Sequence, residues 1–333
     1  MTESQGDEAQ IFVRGLRRTY QTYHRGSGFW QILGSLFHRR ATEVAAVKAL
    51  DLDIQAGELV GFLGPNGAGK STTIKMLTGV LFPTSGEVRI LGMVPWKERK
   101  RYVARIGAVF GQKSQLIWDI PPLDSFMMNQ ALYGIPRAEF QETLDRLAAM
   151  LEIGTIMTKP TRTLSLGERM KCEFVMAMLH RPSIVFLDEP TIGLDVIAKE
   201  TIRTFIRGMN RQGVTFLLTT HDLADVEELA RRIVVINHGE KVFDGSLADL
   251  KTLFGHRRLI RVQTAAELPR LELAGLREVE RKTPLDLSWE LDLTQSSLET
   301  LLKQIGKHSE IKDLAVGEVP IEEIVREIYQ KEF

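Results

Sequence analysis

One short stretch limits the fold of this chain more than any other: Gly64-Pro65-Asn66-Gly67-Ala68-Gly69-Lys70-Ser71-Thr72, set between the apolar run Leu59 to Leu63 and the helix-like run Thr72 to Leu77. Strand, glycine-rich loop and helix in that order, with the spacing G-x-x-x-x-G-K-[ST], make a phosphate cradle. Glycines let the backbone wrap an anion with its N–H groups pointing inward, and the helix adds the positive end of its dipole. Lys70 is then placed to reach the β and γ phosphates of a nucleotide, and the Ser71 hydroxyl to hold Mg²⁺.

The 333 residues suffice for one large α/β domain and a smaller second one. Lys+Arg and Asp+Glu both total 43, so no overall basic field draws the chain to nucleic acid or anionic lipid, and no nucleic-acid partner is expected. Cys172 is the only cysteine, which excludes an intramolecular disulfide and a multi-cysteine metal site; it reads as a small buried apolar residue on a helix. Met1 to Gln10 is acidic and polar, unlike a signal or transit peptide, and no apolar run reaches the roughly 18 residues of a membrane span. A soluble, cytosolic chain is expected.

Along the chain, Ile11 to Leu16 reads as a first strand, and Ala49 to Ile54 alternates as a half-buried strand should. Residues 21–43 interrupt the pattern as an insertion, with Phe29, Trp30, Ile32, Leu33, Leu36 and Phe37 at helical spacing before His38-Arg39-Arg40. Such an amphipathic helix with a basic end suits a membrane surface or membrane partner, or equally a helix packed on its own domain. A turn at Pro83 to Gly86 leads into a strand over Glu87 to Leu91, and the apolar run Ile106 to Phe110 closes on Gly111-Gln112. From Pro121 to about Lys159, Leu144, Leu147, Ala148 and Leu151 recur at helical spacing, which predicts a helical lobe within the first domain.

Ser183 to Glu189 is a continuous apolar run that ends in two carboxylates, as a central parallel strand reads when its C-terminal end opens on a ligand crevice. Asp188 suits the hydration shell of Mg²⁺, and Glu189 is placed to take a proton from an attacking water. Val214 to Leu218 is a second such strand, followed by Thr219-Thr220-His221.

Two further motifs complete the order. Leu164-Ser165-Leu166-Gly167-Glu168-Arg169 stands before the paired acids, and Asp188-Glu189-Pro190-Thr191-Ile192-Gly193-Leu194-Asp195 continues past them to His221-Asp222. Over residues 11–250 the chain resembles the nucleotide-binding subunit of an ABC transporter. The resemblance implies an α/β P-loop NTPase fold with a RecA-like core, an antiparallel β subdomain and a helical subdomain over about 115–180, all within an ATP-binding domain of residues 1–255.

It further implies ATP and Mg²⁺ as ligands and a head-to-tail homodimer, with each ATP held between one chain's phosphate loop, Gly64 to Thr72, and the partner's signature. Ser165 and Gly167 would contact the γ-phosphate held by the other subunit, Asp195 would span the interface, and His221 would bond the γ-phosphate. Tyr20 would stack on adenine, with Tyr23 as the alternative. Gln112 would sense Mg²⁺ and water, with Gln115 as its rival and Gly111 as an extra residue in that loop. Grooves beside Gln112 and residues 115–135 would receive helices of separate transmembrane permease subunits at the cytoplasmic face of the membrane. Leu166 and Glu168 stand where the signature usually has glycine and glutamine. A soluble relative of this family acting on ribosomes or DNA is the alternative; such proteins usually carry two cassettes or a long coiled coil, and neither is present.

Residues 256–333 read as a small α+β accessory domain. Leu259 to Val262 and Leu285 to Leu293 are predicted strands, the latter with Leu285, Leu287, Trp289, Leu291 and Leu293 on one face. Leu298, Leu301, Leu302 and Ile305 form one helix face, and Ile321, Ile324, Val325 and Ile328 another. This part resembles C-terminal extensions of ATPases in the drug and polysaccharide export branches, which implies export and a role in dimer stabilisation or regulation.

Overall fold

The computed structural model describes residues 9–23, 41–111, 113–220, 222–253 and 256–319, together with residues 324, 327 and 329. The helix expected over Phe29 to Phe37, Gln112 and His221, and Ile321, Val325 and Ile328 lie outside the described residues, as does the side chain of Tyr23. The chain divides into two compact units, Met1–Asp244 and Gly245–Phe333.

The centre of the first unit is a six-stranded sheet in the order β5-β6-β7-β3-β8-β9. Its strands are β3 (Leu59–Leu63), β5 (Ile106–Phe110), β6 (Ile184–Asp188), β7 (Thr215–Thr220), β8 (Arg232–Asn237) and β9 (Glu240–Ser246). β5, β6, β7, β3 and β8 run parallel. Their continuous apolar runs follow from that position: with both faces covered there is no solvent side to carry polar residues, and every residue of β3 and β7 is buried. The parallel register brings the carboxyl ends of β3, β6 and β7 to one edge, where Leu63 pairs with Thr220 and Asp188 with Thr219.

A three-stranded antiparallel sheet, β2-β1-β4, is formed by β1 (Ile11–Tyr23), β2 (Ala41–Ile54) and β4 (Ser85–Ile90). Of the insertion expected over 21–43, residues 21–23 and 41–43 are strand, paired Gln21 with Glu43 and Tyr23 with Ala41, and residues 24–40 lie outside the described residues. The extension is a two-stranded ribbon beyond the packed core, so it lacks the apolar alternation by which a half-buried strand is recognised.

Among the described residues, five α-helices complete the cassette as far as the signature: α1 (Lys70–Leu77), α2 (Arg99–Val103), α3 (Pro122–Tyr133), α4 (Arg137–Leu151) and α5 (Leu166–Met178). α3 and α4 start directly after prolines, whose fixed φ suits a helix entry, and α4 buries Phe140, Leu144, Leu147, Ala148 and Leu151 on one face. α6 (Val196–Arg211) and α7 (Leu223–Leu229) follow β6 and β7.

The second unit holds α8 (Leu247–Leu253), α9 (Leu298–Gly306) and a four-stranded antiparallel sheet, β11-β12-β10-β13. These strands are β10 (Arg257–Thr264), β11 (Leu276–Thr283), β12 (Asp286–Asp292) and β13 (Ile311–Glu318). Ile260, Val262, Leu287, Trp289 and Leu291 pack with Leu301 and Ile305 of α9 into its core. The five-residue face expected on β12 is shortened to three, because Leu285 and Leu293 fall beyond the strand ends and are 40% and 42% exposed. Among the described residues no helix is long and apolar enough to cross a membrane.

Candidate functional site

The phosphate loop is wedged against its neighbours chiefly by backbone. Gly69, the residue before α1, has φ 105°, and a Cβ there would lie 2.3 Å from the Ala46 carbonyl oxygen of β2. The Ala68 carbonyl accepts from Gly239 N at 3.1 Å, and the Gly239 carbonyl in turn accepts from Lys48 N at 2.9 Å, so β2 and the β8–β9 turn brace the loop. No acidic side chain of α1 itself sits in its first turn. Lys70 is buried, and its Nζ donates to the carbonyls of Gly64 at 2.6 Å and Pro65 at 3.1 Å. Burial lowers the Lys70 pKa, while the charges of Glu189 and Asp188 oppose that shift.

Asp188, the last residue of β6, meets the loop directly. Its Oδ1 accepts from the Ser71 hydroxyl at 3.0 Å and from the Thr219 hydroxyl at 2.6 Å. Hydroxyl and carboxylate oxygens converging at a strand end form the hard-oxygen donor set that Mg²⁺ prefers, and the residues present fit that ion. Glu189 follows in the left-handed region with φ 51°, its N–H donating to the Thr219 carbonyl at 3.0 Å. Gly111 presses against this turn: its N–H donates to the Asp188 carbonyl at 2.8 Å, and a Cβ there would lie 2.2 Å from the Glu189 carbonyl oxygen. The residue before Gln112 therefore has to be a glycine.

A second group of expected site residues gathers at the start of α5. Ser165 is the N-cap of that helix, accepting from Glu168 N at 3.2 Å, while the Glu168 carboxylate accepts from Ser165 N at 2.8 Å. This reciprocal capping box gives Glu168 a reason of its own at a position where glutamine is usual, and it holds the Glu168 carboxyl below its ordinary range. Asp195 caps α6 by accepting from Ala198 N at 2.8 Å. The two turns interlock. A Cβ on Gly167 would lie 2.8 Å from the Ala198 methyl and 3.9 Å from Asp195 Oδ2, and one on Gly193 would lie 3.1 Å from Leu166 Cδ2.

Tyr20 pairs with Val44 in the ribbon whose Ala46 carbonyl abuts Gly69, and the Arg18 guanidinium lies 4.8 Å from its ring centre. Gln115, the rival to Gln112, donates from Nε2 to the Ala108 carbonyl at 2.5 Å. Cys172 is fully buried on α5, and burial pushes its thiol up to about 12.

Sequence reasoning missed Thr219, a polar residue at the end of an apolar run, and it missed the links between α6 and α7. Lys199 pairs with Asp222 at 2.7 Å, Arg203 with Asp225 at 2.5 Å and Arg207 with Glu228 at 3.2 Å, and the Thr191 hydroxyl also bonds Asp225. Cations four residues apart facing acids three apart was the available signal.

The profile of the ABC transporter family matches residues 47–192. The daunorubicin/doxorubicin resistance ATP-binding protein DrrA of Streptomyces peucetius is 32% identical over 285 residues, covering 84% of this chain and 86% of that protein. The chain belongs to the ABC transporter ATP-binding proteins. The ABC transporter ATP-binding protein NatA of Bacillus subtilis (strain 168) is 31% identical over 214 residues, 64% of this chain and 87% of that one. The cassette fold recurs in a solved ATP-binding subunit of an ABC transporter with TM-score 0.61 at 24% identity, covering 74% of this chain and 93% of the other. It recurs also in a dimeric cassette in a post-hydrolysis state bound to ADP and phosphate, with TM-score 0.60 at 23% identity, covering 71% and 98%. The cassette described above is thus an ABC-type ATPase.

Proposed function

We propose that the cassette works as half of a head-to-tail homodimer on separate membrane permease subunits at the cytoplasmic face of the membrane, and that ATP-driven closure powers export. The observation that carries this reading is the surface around the second group of site residues. Val196 and Ile197, directly after Asp195, are 82% and 79% exposed, and Leu166 beside Ser165 is exposed too. Large apolar side chains flanking two helix N-termini form a surface that burial against a partner would stabilise. The names of DrrA and of the linearmycin resistance protein LnrL of Bacillus subtilis, 27% identical over 285 residues, support export. The second unit is assigned to dimer stabilisation or regulation.

In this mechanism the loop amides from Gly64 to Thr72 bind the phosphates, and Lys70 exchanges its two carbonyl partners for phosphate oxygens. Ser71 and Asp188, joined by Gln112, would hold Mg²⁺, which supplies positive charge against the phosphates when bound. Tyr20 stacks on adenine. Glu189 takes the proton of the attacking water, and His221 bonds the γ-phosphate. Ser165 and Gly167 of the partner close the site, with Asp195 spanning the interface. Phosphoryl transfer is mostly positioning and charge stabilisation, so contacts divided between two chains can gate it.

The test is Glu189→Gln with ATP and Mg²⁺. The expected result is retained ATP binding, turnover reduced by roughly 10²–10⁴-fold as for loss of a general base, and a dimer stable through size-exclusion chromatography. Normal hydrolysis by this variant, or a monomer at saturating ATP, overturns the reading.

A further inference from the structure

The mechanism leaves a buried acid of α5 unused. Glu173 lies two turns into α5 and is only 2% exposed. Nothing in the packing of a helix requires a carboxylate there, and burying one costs free energy unless its oxygens are occupied. They are occupied by the segment that follows Gln112. The Ser114 hydroxyl donates to Oε1, Gln115 N donates to both oxygens at 3.0 and 3.1 Å, and Leu116 N reaches Oε1 at 3.5 Å. Burial raises the Glu173 pKa, and these hydrogen bonds and the nearby Arg169 charge oppose that shift. The Arg169 guanidinium also lies 5.9 Å from the ring centre of Trp118, a second tie between α5 and the same segment. On the other side, Gln115 Nε2 binds the Ala108 carbonyl of β5 at 2.5 Å.

One helix therefore carries both the Ser165 turn, which the proposed dimer presents to the partner's ATP, and the clamp on the loop that serves the chain's own ATP. We propose that Glu173 is a positioning residue that makes the Gln112 loop and the Ser165 turn move as one, so that each ATP site of the dimer reads the occupancy of the other. This rests on the head-to-tail dimer proposed above. It assigns Glu173 no contact with nucleotide.

The test compares full-length wild type with Glu173→Gln, which keeps the shape but removes the charge and turns an amide NH₂ toward at least the Gln115 N–H, which spans both carboxylate oxygens. ATP binding is followed by a fluorescent ATP analogue, and hydrolysis is measured across ATP concentrations. The expected result is an unchanged analogue affinity, kcat lowered about tenfold, the order of loss that small misplacements bring, and a Hill coefficient that falls from above 1 to 1. A purely structural role would instead lower the active fraction and leave the Hill coefficient alone. If Glu173→Gln gives no soluble protein, Ser114→Ala, which removes one donor and leaves the carboxylate its amides, carries the same test. A cooperative wild type matched by the variant in kcat and Hill coefficient overturns the proposal alone. A wild type that hydrolyses ATP without dimerising overturns it together with the dimer reading.

Discussion

The phosphate loop and the signature turn are both glycine-containing turns that open a helix, yet they are built from different materials. At the loop, the Gly69 α-carbon faces a main-chain carbonyl of β2, and the loop is hydrogen-bonded through Gly239 to the neighbouring strands. At the signature, Gly167 faces the methyl of Ala198, Ser165 is held by the side chain of Glu168, and the flanking Leu166, Val196 and Ile197 are exposed. A backbone-built site is finished when the chain folds. A side-chain-built site with an exposed apolar rim is finished by something else, which is why nucleotide binding and turnover are expected to separate.

That contrast can be broken from either side. The largest effect is expected at the loop. Lys70→Ala removes a charged donor, and the nucleotide dissociation constant should rise roughly tenfold to a hundredfold, as for hydrogen bonds to charged groups. Isothermal titration with ATP measures this, and an unchanged constant would sink the phosphate role of Lys70.

At the signature the expected loss is comparable in size but of a different kind, in stability and not in affinity. Gly167→Ala places a methyl against Ala198, which should cost about 1–3 kcal/mol of stability as overpacking does, with nucleotide affinity unchanged. Adding Ala198→Gly makes room again and should restore the melting temperature in a thermal scan. Failure of the double variant to recover would show that the constraint on Gly167 is not this contact.

The smallest effect concerns the cap. Glu168→Ala should cost about 1 kcal/mol, typical of a lost cap, and the loss should depend on pH. Because the Glu168 carboxyl titrates below its ordinary value in the folded chain, its contribution is present above that ordinary value and fades as pH falls through the lowered one. Denaturant titrations of wild type and variant should therefore converge in acid. A constant gap across pH would mean that the capping carboxylate is not what holds the turn.

The sequence was most readable where one physical demand acts alone. β3, β6 and β7 announce themselves because both faces are buried, and the phosphate loop because its geometry admits few residues. Gly167 was read as an approach point for a ligand, but its crowding by Ala198, thirty-one positions on, depends on two helices meeting and leaves no local trace. Gly111 gives no local sign of its constraint for the same reason: the Glu189 carbonyl that forbids a side chain there comes from the neighbouring strand end. The ribbon formed by residues 18–23 escaped because strands without a buried face carry no alternation, and Leu285 and Leu293 were assigned to a strand because periodicity does not mark where pairing stops. The ion pairs between α6 and α7 are written in the charge spacing, but only the fold says which acids face which cations.

The left-handed backbone of Glu189 bears on how such a protein responds to selection. A side chain held there carries strain on the order of 1–2 kcal/mol, which glycine would relieve. Under the catalytic role proposed for Glu189, stability and turnover pull in opposite directions at a single residue. A library of variants sorted for heat tolerance alone would then drift toward glycine at this position, enriching robust cassettes that, on that proposal, bind nucleotide without consuming it.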